Sequence, residues 1–288
     1  MELSPELLYK IMMAEIAVQR GQAQAAAVAM LEVARETGDP RLAQRATEIA
    51  WNARMIREAL EAASLWLKAD PQSAQARQVV ASLLVGQDNL TEARVPLEQW
   101  LAGDKANAAR NFPQVAQLLS RNRDKKAVLA LLRTLAKPYN NIAEVRLTVA
   151  QAAWAADDVE GALAESRAAL DIKPDLEMGA LFHAQALSRR SMADAMTFLE
   201  RFLERHPKSN DVRLAYARLL SAEKRPAEAR KQFEILVAAA PKNPDIAMTV
   251  AQLALQTGDY DSAEKHFQGA LAAGHKTPDL ICLALGQI

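Results

Sequence analysis

The chain has a single cysteine, Cys282, in 288 residues. That excludes an intramolecular disulfide and any metal cluster built on several thiolates, and it leaves the compartment open. Aromatic residues make up only 5% of the chain, so its packing must rest on Ala, Leu, Val and Met. Neither sign of charge is in excess: 35 Lys plus Arg stand against 35 Asp plus Glu, with no local basic stripe. A nucleic-acid surface needs such an excess, so nucleic acid is not expected as a partner. No run approaches the ~18 apolar residues of a membrane span. Met1-Glu2-Leu3-Ser4-Pro5 has neither the basic region nor the apolar core of a secretory leader. Either the chain is cytoplasmic or a leader was removed. The sequence also lacks a glycine-rich phosphate loop and a nucleophile elbow. Its four histidines, His183, His206, His266 and His275, fall in different units or on turns, without metal-ligand spacing. No enzyme, no metal and no cofactor are expected.

What the chain does have is a period. Ala26, Ala59, Ala93, Ala127, Ala162, Ala195, Ala229 and Ala263 recur in steps of 33 to 35 residues. A period near 34 means one helix-turn-helix unit copied along the chain. Twelve residues before each anchor stand Ala14, Thr47, Ala81, Val115, Ala150, His183, Ala217 and Ala251. All but His183 are small to medium in size, as required where two antiparallel helices nearly touch. Four residues after the anchors come Met30, Ala63, Leu97, Leu131, Ser166, Leu199, Phe233 and Phe267, on the same helical stripe and therefore core. Pro71, Pro174, Pro207 and Pro241 stop second helices, since proline cannot continue one. Asp39-Pro40, Asn243-Pro244 and Thr277-Pro278 pair an N-cap residue with proline at the first helical position.

These marks predict an all-α chain, one solenoid over residues 1–288. Its helix pairs fall at about 7–37, 40–70, 74–103, 108–137, 143–173, 176–206, 210–240 and 244–274. The fourth is the least regular, with Pro113 inside its first helix and a kink or shifted start expected there. Residues 277–288 read as a capping helix or the start of a ninth unit. Their apolar character favours a fragment of a longer protein, because a stack ends on a polar cap.

The period, the small residue twelve before each anchor, the terminal prolines and the run Gly258-Asp259-Tyr260-Asp261-Ser262-Ala263 resemble the tetratricopeptide repeat family. The large aromatic that the family carries early in its first helix is replaced by Ala43, Arg77, Arg146, Arg213 and Ala247. The resemblance implies a right-handed superhelix whose inner wall is made by the first helices. A narrower resemblance lies in Leu7-Leu8-Tyr9-Lys10, Ala14-Glu15-Ile16-Ala17, Gln19-Arg20-Gly21 and Ala34-Arg35-Glu36-Thr37-Gly38-Asp39-Pro40-Arg41. This run is similar to proteobacterial outer-membrane tetratricopeptide lipoproteins, one branch of which acts as an adaptor of a carboxyl-terminal processing protease. It implies the periplasmic face of the outer membrane and a protease partner. A scaffold domain of a polysaccharide-export or pilus-assembly complex is the alternative.

Under either reading, binding belongs on the wall. Side chains fifteen, eleven and eight residues before each anchor lie opposite the seam with the paired helix. They give Gln44, Glu48 and Trp51, then Gln78 and Ser82, then Phe112, then Leu147, Gln151 and Trp154, then Leu214 and Arg218, then Met248 and Gln252. Trp51 and Trp154 are either hot-spot anchors for a protein partner or packing between units. Arg218 alone is a weak echo of the clamp with which some family members grip a carboxylate. His183 is expected to be semi-buried and hydrogen-bonded, His206 to sit at a helix end, and Cys282 to be buried as a small hydrophobe.

Overall fold

Alanine and leucine at helical spacing, stopped by proline and punctuated by polar caps, leave the chain little choice but short helices. The computed structural model describes residues 4–241 and 243–288. The chain divides into two compact units, Met1–Asp158 and Val159–Ile288. Among the described residues there is no strand.

The first unit runs α1 (Pro5–Gln19), α2 (Ala23–Thr37), α3 (Pro40–Asn52), α4 (Ile56–Ala69), α5 (Ala74–Gly86), α6 (Leu90–Gly103), α7 (Ala108–Leu119), α8 (Lys125–Ala136) and α9 (Ala143–Ala155). The second runs α10 (Val159–Ile172), α11 (Glu177–Ser188), α12 (Met192–Arg205), α13 (Asn210–Ala222), α14 (Pro226–Ala239), α15 (Pro244–Gln256), α16 (Tyr260–Ala272) and α17 (Pro278–Leu285). Within each unit, helices adjacent in sequence pack on one another, except that α7 packs on α9 rather than on α8. First helices also touch the next first helix, α5 on α7, α7 on α9 and α11 on α13.

The seams close on the small residues. All eight residues twelve before the anchors are buried, and so are seven of the eight anchors, with Ala127 half-buried. Ala14 and Ala26 on the packed α1 and α2, and Ala251 and Ala263 on α15 and α16, show why: small side chains at both positions let the helices approach closely and exclude water.

Six turns inside the helix pairs share one device. Gly21, Arg54, Asp88, Asp157, Lys224 and Gly258 occupy equivalent places with φ between 57° and 75°, the left-handed region. The next residue donates its N–H to the carbonyl five residues back, as Asn89 does to Leu84 and Asp259 to Ala254, closing a Schellman-type end. Only two of the six are glycine, and a residue with a Cβ is strained there by about 1–2 kcal/mol. Lys224→Gly is therefore expected to raise the urea unfolding free energy by about 0.5–1 kcal/mol, since the glycine's extra unfolded-state entropy offsets part of the relief. Gly258→Ala is expected to lower it by about 1 kcal/mol. Equal and unchanged midpoints would show that the turns carry no strain.

The arginines that replace the family's aromatic do a different job. Arg77 donates to the carbonyls of Gln72 and Gln99, Arg146 to that of Asn140, and Arg213 to that of Pro207. Each guanidinium thus ties down the turn that precedes its own helix. Arg213 is buried, with a further bond to Gln232 and its Nε unpartnered, and that burial pushes its pKa down.

The helix α7 starts at Ala108, without a shifted start, and runs through Pro113; a short 3-10 turn, Lys105–Asn107, precedes it. Two further local expectations are corrected. Asp39 and Asn243 cap their helices as read, but Thr277 makes no cap bond, because its hydroxyl is engaged with His275 Nδ1 at 3.0 Å. Cys282 is exposed. In the eight-residue α17 the inward position goes to Ile281, and a step of about 100° carries its neighbour out of the core.

Candidate functional site

Whether a wall residue is available to a partner depends on its angle from the buried seam. The residue eleven before each anchor follows the seam residue by one and so points about 100° away from it. Glu48, Gln151, Arg218 and Gln252 take this position and are exposed, while Ser82 is half-buried. The residue fifteen before the anchor is only one turn from the seam residue. There the side chain decides: Gln78 is exposed and Gln44 half-buried, whereas Leu214 is half-buried among core residues. Phe112, Leu147 and Met248 are buried outright, which corrects their assignment to the wall. Phe112 shares one stripe with Val115 and Leu119, and all three are 0% exposed.

Five of the wall residues come together. Gln44, Glu48 and Trp51 of α3 face Gln78 and Ser82 of α5 across a cavity of about 290 Å3. Trp66 of α4 also lines it and is buried, whereas Trp51 stands on the rim with 56% of its surface exposed. The cavity is close to electrically neutral. Its one carboxylate, Glu48, is 3.2 Å from Arg45 and accepts a weak bond from Gln44. Arg45 in turn grips Glu15 of α1 through Nε and Nη2, at 2.7 and 2.8 Å, and this holds the Glu15 carboxyl below its usual range. The fork fixes α3 to α1 and with it the angle at which Trp51 is presented.

The remaining wall residues do not join this cluster. Gln151 lines a separate hollow of about 250 Å3 with Pro113, Ala116 and Thr148, between α7 and α9. Arg218 and Gln252 share a more open cavity of about 570 Å3 between α13 and α15 in the second unit. Trp154 is half-buried and lines none of these three.

His183 of α11 is buried, and its Nδ1 lies 2.8 Å from the hydroxyl of Ser166 on α10. Ser166 occupies a stripe position that holds Leu, Met or Phe in six other units, so the small serine makes room for the imidazole. The edge of the Phe198 ring closes the other side, with centroids 4.8 Å apart. Burial, with a smaller push from Arg167, drops the His183 pKa to about 4. His206 ends α12 and stacks on Phe202.

Among the described residues no group of His, Cys, Asp or Glu is arranged to hold a metal ion, and no helix is long and apolar enough to cross a membrane. The cavity between α10 and α12 was not expected from the sequence, because the wall offsets place residues on first helices alone. The signal was present as Phe198, Phe202 and His206 at steps of four along α12.

The model of the tetratricopeptide repeat family matches residues 186–253 and 222–281. A TPR repeat-containing protein of Pseudomonas aeruginosa is 26% identical over 218 residues, covering 74% of this chain and 36% of its own length, so the chain spans about a third of that relative. Among solved structures, a tetratricopeptide repeat protein of Parabacteroides merdae is 14% identical with a TM-score of 0.44, covering 86% of this chain and 97% of its own. One from Thermus thermophilus is 18% identical with a TM-score of 0.43, covering 62% and 98%. Residues 186–281 match the tetratricopeptide repeat model, the preceding helix pairs repeat the same small buried residues, and the fold class is that of an all-α tetratricopeptide-repeat solenoid.

Proposed function

We propose that the chain is a non-enzymatic adaptor that holds a polypeptide segment of a protein partner against the first-helix wall of its first unit, with Trp51 as the main anchor. The observation that carries this reading is the α3–α5 cavity: an exposed indole over a buried one, flanked by three glutamine side chains and a neutralised carboxylate. Amides can both donate to and accept from a peptide backbone, and an indole supplies rigid contact area at little entropic cost. A neutral wall suits a partner segment that is itself uncharged and extended or helical. The N-terminal motif run supports a carboxyl-terminal processing protease as the partner and the periplasmic face of the outer membrane as the setting. In that arrangement the solenoid docks on the protease while another surface takes up substrates.

The test is a pull-down of the full chain from a Gram-negative envelope extract, followed by affinity measurement on the purified pair. Recovery of a carboxyl-terminal processing protease is expected, with affinity weakened about thirtyfold by Trp51→Ala, the effect of a typical hot spot. The unfolding midpoint should stay where it was, because Trp51 is more than half exposed. Failure to recover such a protease, or equal recovery with Trp51→Ala, would count against the reading.

A further inference from the structure

The α10–α12 cavity lies in the second unit, between second helices. Its volume is about 520 Å3, within the range of ligand sites. Leu170 from the last turn of α10, Pro174 just after that helix, and Phe198 and Phe202 from α12 give it an apolar floor. Its rim is basic: Arg167 comes from α10, Arg201 and Arg205 from the last turns of α12. Arg167 is already committed, with Nε 3.1 Å from Asp171. Among the described residues Arg201 and Arg205 have no ion-pair or hydrogen-bond partner. They stand four residues apart on one exposed face, so their guanidinium groups can close on the same ligand. The one other acid on the rim, Asp194, lies seven residues before Arg201 and eleven before Arg205, about 10 and 16 Å along the helix axis. Two helix C-termini point toward the basic end, and their partial negative charges offset about one of the two arginines. Positive charge therefore remains locally, at the Arg201–Arg205 end of the apolar floor, with Asp194 at the other end.

We infer that this cavity is a second binding site, which takes an acidic peptide segment carrying a bulky apolar side chain. The carboxylates engage Arg201 and Arg205 by forked, charge-assisted hydrogen bonds, and the apolar side chain covers Leu170, Pro174 and Phe198. The site is independent of the α3–α5 cavity: it uses second helices, another unit and the opposite ligand chemistry. A scaffold with one neutral and one basic site can hold two different polypeptides.

Isothermal titration calorimetry on the full chain tests this, using the blocked peptide Glu-Glu-Leu-Phe-Glu-Glu, its glutamine counterpart Gln-Gln-Leu-Phe-Gln-Gln, and inorganic pyrophosphate. The acidic peptide is expected to bind at least about tenfold more tightly than the glutamine peptide, and to weaken as salt is raised. The double variant Arg201→Gln, Arg205→Gln should lose at least about tenfold, with an unchanged circular dichroism spectrum because both side chains are exposed. Arg218→Gln, in the other basic cavity of that unit, should leave the affinity unaltered. Equal binding of the two peptides, full affinity in the double variant, the same loss from Arg218→Gln, or binding of pyrophosphate alone would each overturn the assignment. A failed protease pull-down would leave it standing.

Discussion

Phe112→Ala is expected to lower the urea unfolding free energy by about 3–5 kcal/mol, the usual range for deleting a fully buried phenylalanine ring. Phe112, Val115 and Leu119 form a single stripe on α7, and none of the three reaches solvent. The helix has little local reserve with which to absorb the loss. It is 12 residues long, and Pro113 removes an N–H that would have bonded within it. Packing therefore holds α7 in place, and a cavity left by the ring has only flanking helices to collapse onto it. Hydrogen exchange should accelerate across α7 and α9, which pack together. Gln151→Ala on α9, an exposed wall residue, is expected to change the same free energy by less than about 0.5 kcal/mol. A Phe112→Ala protein as stable as the parent would return Phe112 to the wall.

That contrast also explains how far the sequence could be read. The seam was legible because its requirement is severe: where two helices touch, only small side chains fit, so Ala14, Ala81, Ala150, Ala217 and Ala251 recur at the period. The wall was less legible because its requirement is angular. Three offsets that look equivalent in a periodic listing differ by a turn or by 100° around the helix, and the residue next to the seam residue is open where it is long and polar, as at Glu48, Gln151, Arg218 and Gln252, but not at Ser82 or Ala184. Gln78 and Phe112 hold the same offset, yet one faces water and the other does not. The left-handed turns at Arg54 and Lys224 were hidden for another reason: their residue types disfavour the conformation they adopt, so composition argues against it. Arg77 and Arg213, read as the loss of an aromatic, proved to be carbonyl ties, which no spacing rule announces. The α10–α12 cavity joins residues from neighbouring helix pairs, and a search along single first helices could not find it.

Acidification should expose His183. Its pKa is held at about 4 in the folded chain against an ordinary value of 6.5, so between these two values the unfolded chain binds more protons than the folded one. The neutral imidazole contributes its full stability above about pH 6.5, and that contribution falls as pH drops toward 4. The loss amounts to about 2 kcal/mol at pH 5 and about 3 kcal/mol at pH 4. The charged groups that act on the ring are Arg167, which opposes protonation, and Asp171, which favours it; burial between α10, α11 and α12 outweighs both. His266, also buried, is shifted in the same direction, so it adds to the slope with the same sign. Carboxylates titrate mostly below this window, which makes pH 7 to 5 the informative range. His183→Gln keeps a polar partner for Ser166 and removes the titration. Its urea midpoint should fall less than the parent's between pH 7 and pH 5, and the difference between the two slopes isolates His183. Parallel pH profiles for parent and variant would mean that the imidazole is hydrated and protonates freely in the folded chain. The buried Ser166–His183 contact would then be wrong.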